Sequence, residues 1–327
     1  MSKIGRLVNY SIVIPAFNED QNISPLLTRI IQVMSDFSYE IIIVDNGSTD
    51  ETASTLKNWL KNKTINLKVI TLSRNFGYDG AIAAGLEYVE GGWCIIMDGD
   101  QQDPPEVIPE FIAKANEGFD IVYGLRHERT EGVIIGLMIK MFYKIMKIIS
   151  NVNMPKDAGN FSIISHMVVD VIVTMPERNK FIRGIRAWAG FSSTGIVYKR
   201  DNRTSGKTKF SLFKYLNHAI NGFTSFSLIP LRLVSYLGFF GLISCFLAGL
   251  FFFVTKISEI IGHPILSYQI ESGFTIVYLL ILTSISMTLF GLGVIGEYVG
   301  KILEETKNRP NFIVTNVQSS NQILEKS

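Results

Sequence analysis

A chain of 327 residues has room for one large or two ordinary domains, and its 47% hydrophobic content with a mean hydropathy of +0.26 assigns part of it to lipid. A formal net charge of +2 at pH 7, without any long Lys/Arg block, excludes bulk nucleic-acid binding. The only two cysteines, Cys94 and Cys245, both sit in apolar runs, which excludes a disulfide scaffold and a zinc site and points to a reducing compartment.

The N-terminal M-S-K-I-G-R-L-V-N-Y leads into a strand without an apolar signal region, so the first domain is expected to stay unexported. From Tyr10 to about Gly124, five short β-branched runs alternate with helical patterns: S-I-V-I-P, E-I-I-I-V-D, L-K-V-I-T-L, W-C-I-I-M-D and D-I-V-Y-G. This order predicts an α/β domain with a mostly parallel central sheet. Ligands of such sheets bind beyond the carboxyl ends of the strands, where Pro15, Asp45, Asp98 and Arg126 stand, with Ser73 and Arg74 after the third run.

The first strand stops at Pro15, and Asn18 and Glu19 open a helix. In V-D-N-G-S-T-D, Gly47 permits a sharp turn and Ser48 or Asp50 can cap a helix, which leaves Asp45 able to accept hydrogen bonds from a nucleobase or ribose. In M-D-G-D-Q-Q-D-P-P-E, Asp98, Asp100 and Gln102 offer two hard carboxylates and an amide oxygen, a set that suits Mg²⁺ or Mn²⁺. Such an ion would neutralise a leaving diphosphate; the same Asp and Gly residues are also ordinary turn formers. No G-x-G-x-x-G follows the first strand, and S-G-K-T at 205–208 lacks the leading Gly of a phosphate loop, so neither a dinucleotide oxidoreductase nor a phosphate-loop NTPase is indicated.

Residues 133–150 are apolar but carry Lys140, Lys144 and Lys147 at helical spacing, as in a helix lying in a membrane interface; residues 211–232 are a second such candidate. The stretches 233–254 and 274–295 are nearly free of charge and each is long enough to cross a bilayer, the alternative being two buried helices of a soluble core. Lys256, Glu259, His263 and Glu271 make 255–273 an extracytoplasmic loop. Basic residues, among them Arg200, Arg203, Lys207, Lys209 and Arg232 before the first span and Lys301, Lys307 and Arg309 after the second, put both termini in the cytoplasm. The domains expected are thus a cytoplasmic catalytic domain over 1–210, a membrane hairpin, and a tail over 296–327 that is polar beyond Phe312 and expected to fray.

Taken together, V-D-N-G-S-T-D from Val44, S-R-N-F-G from Ser73, M-D-G-D-Q-Q-D-P-P-E from Met97, Y-G-L-R from Tyr123, F-I-R-G-I-R-A-W-A-G-F from Phe181, R-T-S-G-K-T-K-F from Arg203 and G-E-Y-V-G-K-I-L-E-E-T-K-N-R-P from Gly296 resemble glycosyltransferase family 2. The resemblance spans nearly the whole chain and is specifically to the polyprenyl-phosphate branch, which includes bactoprenol glucosyltransferases and dolichyl-phosphate mannose synthases. It implies a GT-A nucleotide-sugar fold with Asp45 near the base, Asp98 and Asp100 near ribose and metal, and Gln102 as a further ligand. Arg126 would face the acceptor phosphate, with Arg129 in support, and Arg203 and Lys209 would hold or close over the donor diphosphate. The chain departs from the family's V-D-D-G-S at Asn46, and from its D-x-G-D-F-R at Asn160 and Ser162, keeping Asp157 as a candidate near the reacting centre.

The implied partners are a nucleotide sugar, UDP-glucose ahead of UDP-N-acetylglucosamine and GDP-mannose, undecaprenyl phosphate as acceptor, the bilayer, and a homo-oligomer of four hairpins. A polyprenyl phosphate is already anionic at pH 7, so direct inverting displacement needs no strong base, and Asp157 would position rather than abstract a proton. A processive polysaccharide synthase shares the fold but usually carries Q-x-x-R-W, which is missing here. An inactive membrane scaffold, or a subunit working with a flippase, is the non-enzymatic alternative.

Overall fold

Short runs rich in Ile and Val, each closed by a polar turn, become the strands of one sheet. In the computed structural model, which describes residues 8–126, 158–177, 180–201, 229–261 and 273–320, β1 (Tyr10–Ala16), β2 (Tyr39–Asp45), β3 (Leu67–Leu72), β4 (Trp93–Ile96) and β5 (Ile121–Arg126) coincide with the five expected runs. They alternate with α1 (Asp20–Val33), α2 (Thr52–Leu60), α3 (Tyr78–Leu86) and α4 (Ile108–Asn116). Further on come β6 (Ala158–Ser165), α5 (His166–Thr174), α6 (Ile182–Trp188) and β7 (Ser193–Tyr198), then the long helices α7 (Ile229–Ile260) and α8 (Gly273–Thr306), and last β8 (Val314–Ser319).

The strand order is β7-β5-β6-β4-β1-β2-β3-β8. β1 lies between β2 and β4 and parallel to both, with Val13 opposite Ile42 and Ile96. β6 and β8 run against the rest. Both sheet faces are covered, which is why the central strands read as continuous apolar runs. Ile12, Ile14, Ile41 and Ile43 face α1, α2 and α4, where Leu26, Leu56 and Phe111 close the core. Val13, Ile42 and Val44 face α3, α5 and α6, with Ile82, Val168 and Ile185. Because β6 is reversed, Ala158 pairs with Leu125 and Ser162 with Ile96, so its first residues share the edge at which β4 and β5 end.

The tail does not fray as expected. Val314–Ser319 pairs antiparallel with β3, Ile70 opposite Val317, and covers what would otherwise be an open sheet edge. Val314 and Val317, three positions apart, both pack on the core because the pairing with β3 slips by one residue between Thr71 and Leu72, enough to bury one side of an edge strand although the segment is mostly polar. Ser320, 1% exposed, ends the strand: its hydroxyl donates to the Ile65 carbonyl at 2.6 Å and accepts the Leu67 amide at 3.1 Å. Ser320→Ala removes one partner from each of these backbone groups, which still bond to each other at 3.0 Å, and is expected to cost about 1 kcal/mol, read from denaturant unfolding of the detergent-solubilised protein.

The chain separates into two compact units, one comprising Met1–Lys209 with Asn308–Ser327, the other Phe210–Lys307. In the second, α7 and α8 have 32 and 34 residues, about 48 and 51 Å of helix. Among the described residues, Leu280–Gly300 is the segment long and apolar enough to cross a membrane. Phe239, Phe246 and Phe253 of α7 and Leu289 and Phe290 of α8 project outward, each more than half exposed. A Cβ on Gly291 would come within 3.0 Å of Val234, so the two helices approach closely where the side chain is smallest. The interfacial helix expected over 133–150, residues 211–228 of the second interfacial segment, and the loop residues 262–272 lie outside the described residues.

Candidate active site

The C-terminal ends of β1 to β4 surround a cleft of about 280 Å³ lined by Pro15, Phe17, Asn46, Tyr78, Asp98 and Asp100, among others. Its walls are loops stitched to one another. Asn18, at a φ of 58°, accepts the Thr49 amide at 2.8 Å and gives its own amide to the Ser48 hydroxyl at 3.0 Å. Asp50 accepts the amide of Thr52, the first residue of α2, at 3.0 Å. Burial would raise its pKa, but hydrogen bonds from the Thr52 hydroxyl and from backbone amides outweigh burial and hold it below the usual carboxylate range.

Asp45, 3% exposed, spends one oxygen on the Ser48 amide at 3.0 Å, and it is the next residue, Asn46, that lines the cleft. The Asn46 side chain accepts the Phe76 amide at 2.9 Å and donates to the Gly77 carbonyl at 3.0 Å and to Asn75 at 3.3 Å. The departure from the family's second Asp therefore has a structural use, because a carboxylate could not make those donations. Gly47, at a φ of 72°, is required: a Cβ there would fall 2.6 Å from the Arg74 backbone.

Asp98 and Asp100 both line the cleft. Asp98 takes the Tyr78 hydroxyl on one oxygen and faces Arg200 Nη2 at 3.5 Å with the other. Asp100 accepts the Gln102 amide at 3.2 Å. Gln102 itself is not among the lining residues, and its carbonyl is held by the Asp201 amide at 2.9 Å. Among the described residues no three His, Cys, Asp or Glu side chains form a cation cage. Two carboxylates on a cleft fit Mg²⁺ or Mn²⁺ in a different way, as a cation shared with donor phosphates.

Beneath Asp98 lies a third acid that sequence reasoning did not single out. Asp103, fully enclosed, accepts the Tyr198 hydroxyl at 2.5 Å and lies 3.6 Å from Arg200 Nε. Burial first, and then the Asp98 charge, push its pKa up to about 6, against Tyr198, Arg200 and Arg126. Arg126 ends β5 over Gly159, where a Cβ would stand 3.4 Å from its Nη2, and it interacts with Asp103, Tyr198 and Asp98. Among the described residues, Asp103 Oδ2 and the Nε atoms of Arg126 and Arg200 are buried without a hydrogen-bond partner.

At the start of β6, Asn160 reaches the Tyr78 hydroxyl. The base that the family pattern carries at position 162 is missing, yet a guanidinium stands there: Arg186 of α6 donates to Ser162 Oγ at 2.7 Å and to the Gly159 carbonyl at 3.0 Å. Burial, then the neighbouring Arg183, lower its pKa to about 10, so it stays charged at neutral pH. Asp157, Arg129, Arg203 and Lys209 lie outside the described residues.

A family model described as glycosyl transferase family 2 matches residues 11–172. An uncharacterized glycosyltransferase of Synechocystis sp. is 37% identical over 314 residues, covering 95% of this chain and 96% of the relative. A bactoprenol glucosyl transferase of Shigella phage SfV is 36% identical over 309 residues, 94% and 98% of the two chains. A prophage bactoprenol glucosyl transferase homolog of Escherichia coli is 36% identical over 312 residues, 94% and 99%. With the acid-lined cleft at the strand ends and relatives matched almost end to end, this chain belongs to glycosyltransferase family 2 and is a glycosyltransferase.

Proposed function

We propose that the enzyme transfers a hexose, with UDP-glucose as the donor, to undecaprenyl phosphate at the cytoplasmic face of a membrane, inverting the anomeric centre. The observation that carries this reading is the pairing of two acids, Asp98 and Asp100, with Arg126 at one sheet edge, in a chain that also contributes two long apolar helices. The names of the phage and prophage relatives support the acceptor and the sugar.

The acceptor phosphate is an anion at working pH, so its oxygen can attack without losing a proton, and catalysis falls to positioning and charge neutralisation. Arg126 would orient that phosphate through a charge-assisted hydrogen bond; its Nε is buried and has no hydrogen-bond partner among the described residues. Asp98 and Asp100 would hold Mg²⁺ or Mn²⁺, which when bound neutralises the departing diphosphate. Asp157 and Arg129 are proposed to support the acceptor side, Arg203 and Lys209 the donor diphosphate, and Asp45 the base.

Both α7 and α8 are taken as spans, and β8 supports the even number. A chain that leaves the sheet after β7 and returns to it as β8 must finish on the membrane side where it began. The outward phenylalanines of α7 suit lipid better than water. The test is transfer of label from a panel of nucleotide sugars to undecaprenyl phosphate by purified protein in detergent, with Mg²⁺ or with chelator. Chelator-sensitive label in the lipid phase from UDP-glucose is expected. Label from another donor would replace the sugar, and none from any donor would overturn the acceptor.

A further inference from the structure

The chain just after β7 is clamped onto the acidic loop from several directions. Tyr198 donates to Asp103 at 2.5 Å, the Asp201 amide donates to the Gln102 carbonyl at 2.9 Å, and the Asp201 carboxylate pairs at 3.1 Å with Arg29, which also holds Glu106 at 2.6 Å. The backbone of this segment is therefore fixed. Arg200, between these anchors, is held more loosely: Nη2 is 3.5 Å from Asp98 and Nε 3.6 Å from Asp103, the latter beyond hydrogen-bond reach. Its Nε is buried and without a hydrogen-bond partner among the described residues.

Asp98 lines the cleft and Asp103 lies enclosed behind it. A divalent cation on Asp98 and a guanidinium on the same carboxylate repel each other, so the two are alternatives. We infer that Arg200 is a positioning residue that stands in for the divalent cation at Asp98, and that cation binding displaces it while the backbone stays anchored by Asp201. Asp103 gives the guanidinium a second carboxylate to rest on, so the hand-over is a side-chain rotation that strands neither charge. The displaced Nη2 is then available to a phosphate oxygen of the donor. This rests on the proposed assignment of Asp98 and Asp100 to the cation.

The test is Mn²⁺ binding to the full-length protein in detergent, without nucleotide, with free Mn²⁺ followed by electron paramagnetic resonance. Removing a competing, partly exposed charge in Arg200→Gln is expected to tighten Mn²⁺ binding by about three- to tenfold. Arg200→Lys, which keeps the charge, is expected to stay within about twofold of the unmodified protein by the same reasoning. Arg200→Met provides a second charge-removing variant if Gln impairs folding, which thermal unfolding would reveal. Unchanged or weaker binding in the charge-removing variants overturns the role of Arg200. If Asp100→Asn still abolishes Mn²⁺ binding in that case, the cation site stands and only the stand-in falls. If the unmodified protein binds no Mn²⁺, both fall.

Discussion

Asp100→Ala is expected to abolish sugar transfer, with kcat down by about 10³-fold or more, while the thermal unfolding midpoint stays within a few degrees. The side chain has two separable jobs. One oxygen accepts the Gln102 amide and shapes the turn after β4. The carboxylate as a whole faces the cleft beside Asp98, where the developing charge of a leaving diphosphate must be met. Asp100→Asn keeps a turn acceptor and removes the charge, so it separates the two. If the charge matters, Asn is nearly as inactive as Ala and added Mg²⁺ does not rescue it. If Asn restores activity, the residue is a turn former and the cation assignment to it is wrong.

The largest loss of stability is expected far from the cleft, at the opposite ends of the same strands. Glu40 in β2 is 1% exposed and accepts the Ser11 hydroxyl and, at 2.9 Å, the Glu90 amide. Lys68 in β3 stands 3.3 Å from Glu40 and 2.8 Å from Glu90. Burial pulls the Lys68 pKa down, but the Glu90 hydrogen bond and the Glu40 charge more than reverse this and leave it raised. Glu40→Ala leaves the Ser11 hydroxyl and the Glu90 amide without their acceptor and removes half of a largely enclosed ion pair. The expected cost is about 3–5 kcal/mol, a fall in Tm of about 10 °C. Glu40→Gln, which still accepts from both donors, is expected to lose roughly half as much. KM for the donor should not move in the protein that remains folded. A loss of less than about 1 kcal/mol in the Ala variant would show the pair to be neutral there.

The parts of this molecule that were legible in the sequence are those whose cause is local. S-I-V-I-P and E-I-I-I-V-D are strands because both of their faces are buried, and that condition writes itself as an unbroken apolar run. Pro15, Asp98 and Asp100 could be expected on one cleft, and Arg126 at the end of β5, because strand ends on such a sheet point to one edge. What was not legible depends on partners distant along the chain. The acceptor of Tyr198 is Asp103, 95 positions away, and Arg200 looked like one more cation flanking a membrane span although its charge faces Asp98 and Asp103. β6 does not read as a strand, because A-G-N-F-S-I-I-S has too short an apolar run to declare itself without β4 and β5 beside it. The tail was read as frayed because V-T-N-V-Q-S is too short and polar to declare itself without the β3 edge beside it.

That last strand also imposes an order of assembly. The Ser320 hydroxyl and the Leu67 amide that it accepts are separated by 253 positions. At about 5–20 residues per second of synthesis, β3 waits roughly 13–50 s for its outer neighbour. During that interval both long helices are synthesised, ahead of the final strand. The catalytic sheet is therefore completed only after the hairpin has been synthesised, and a chain stalled before β8 carries an unpaired, apolar strand edge of the kind that quality control recognises.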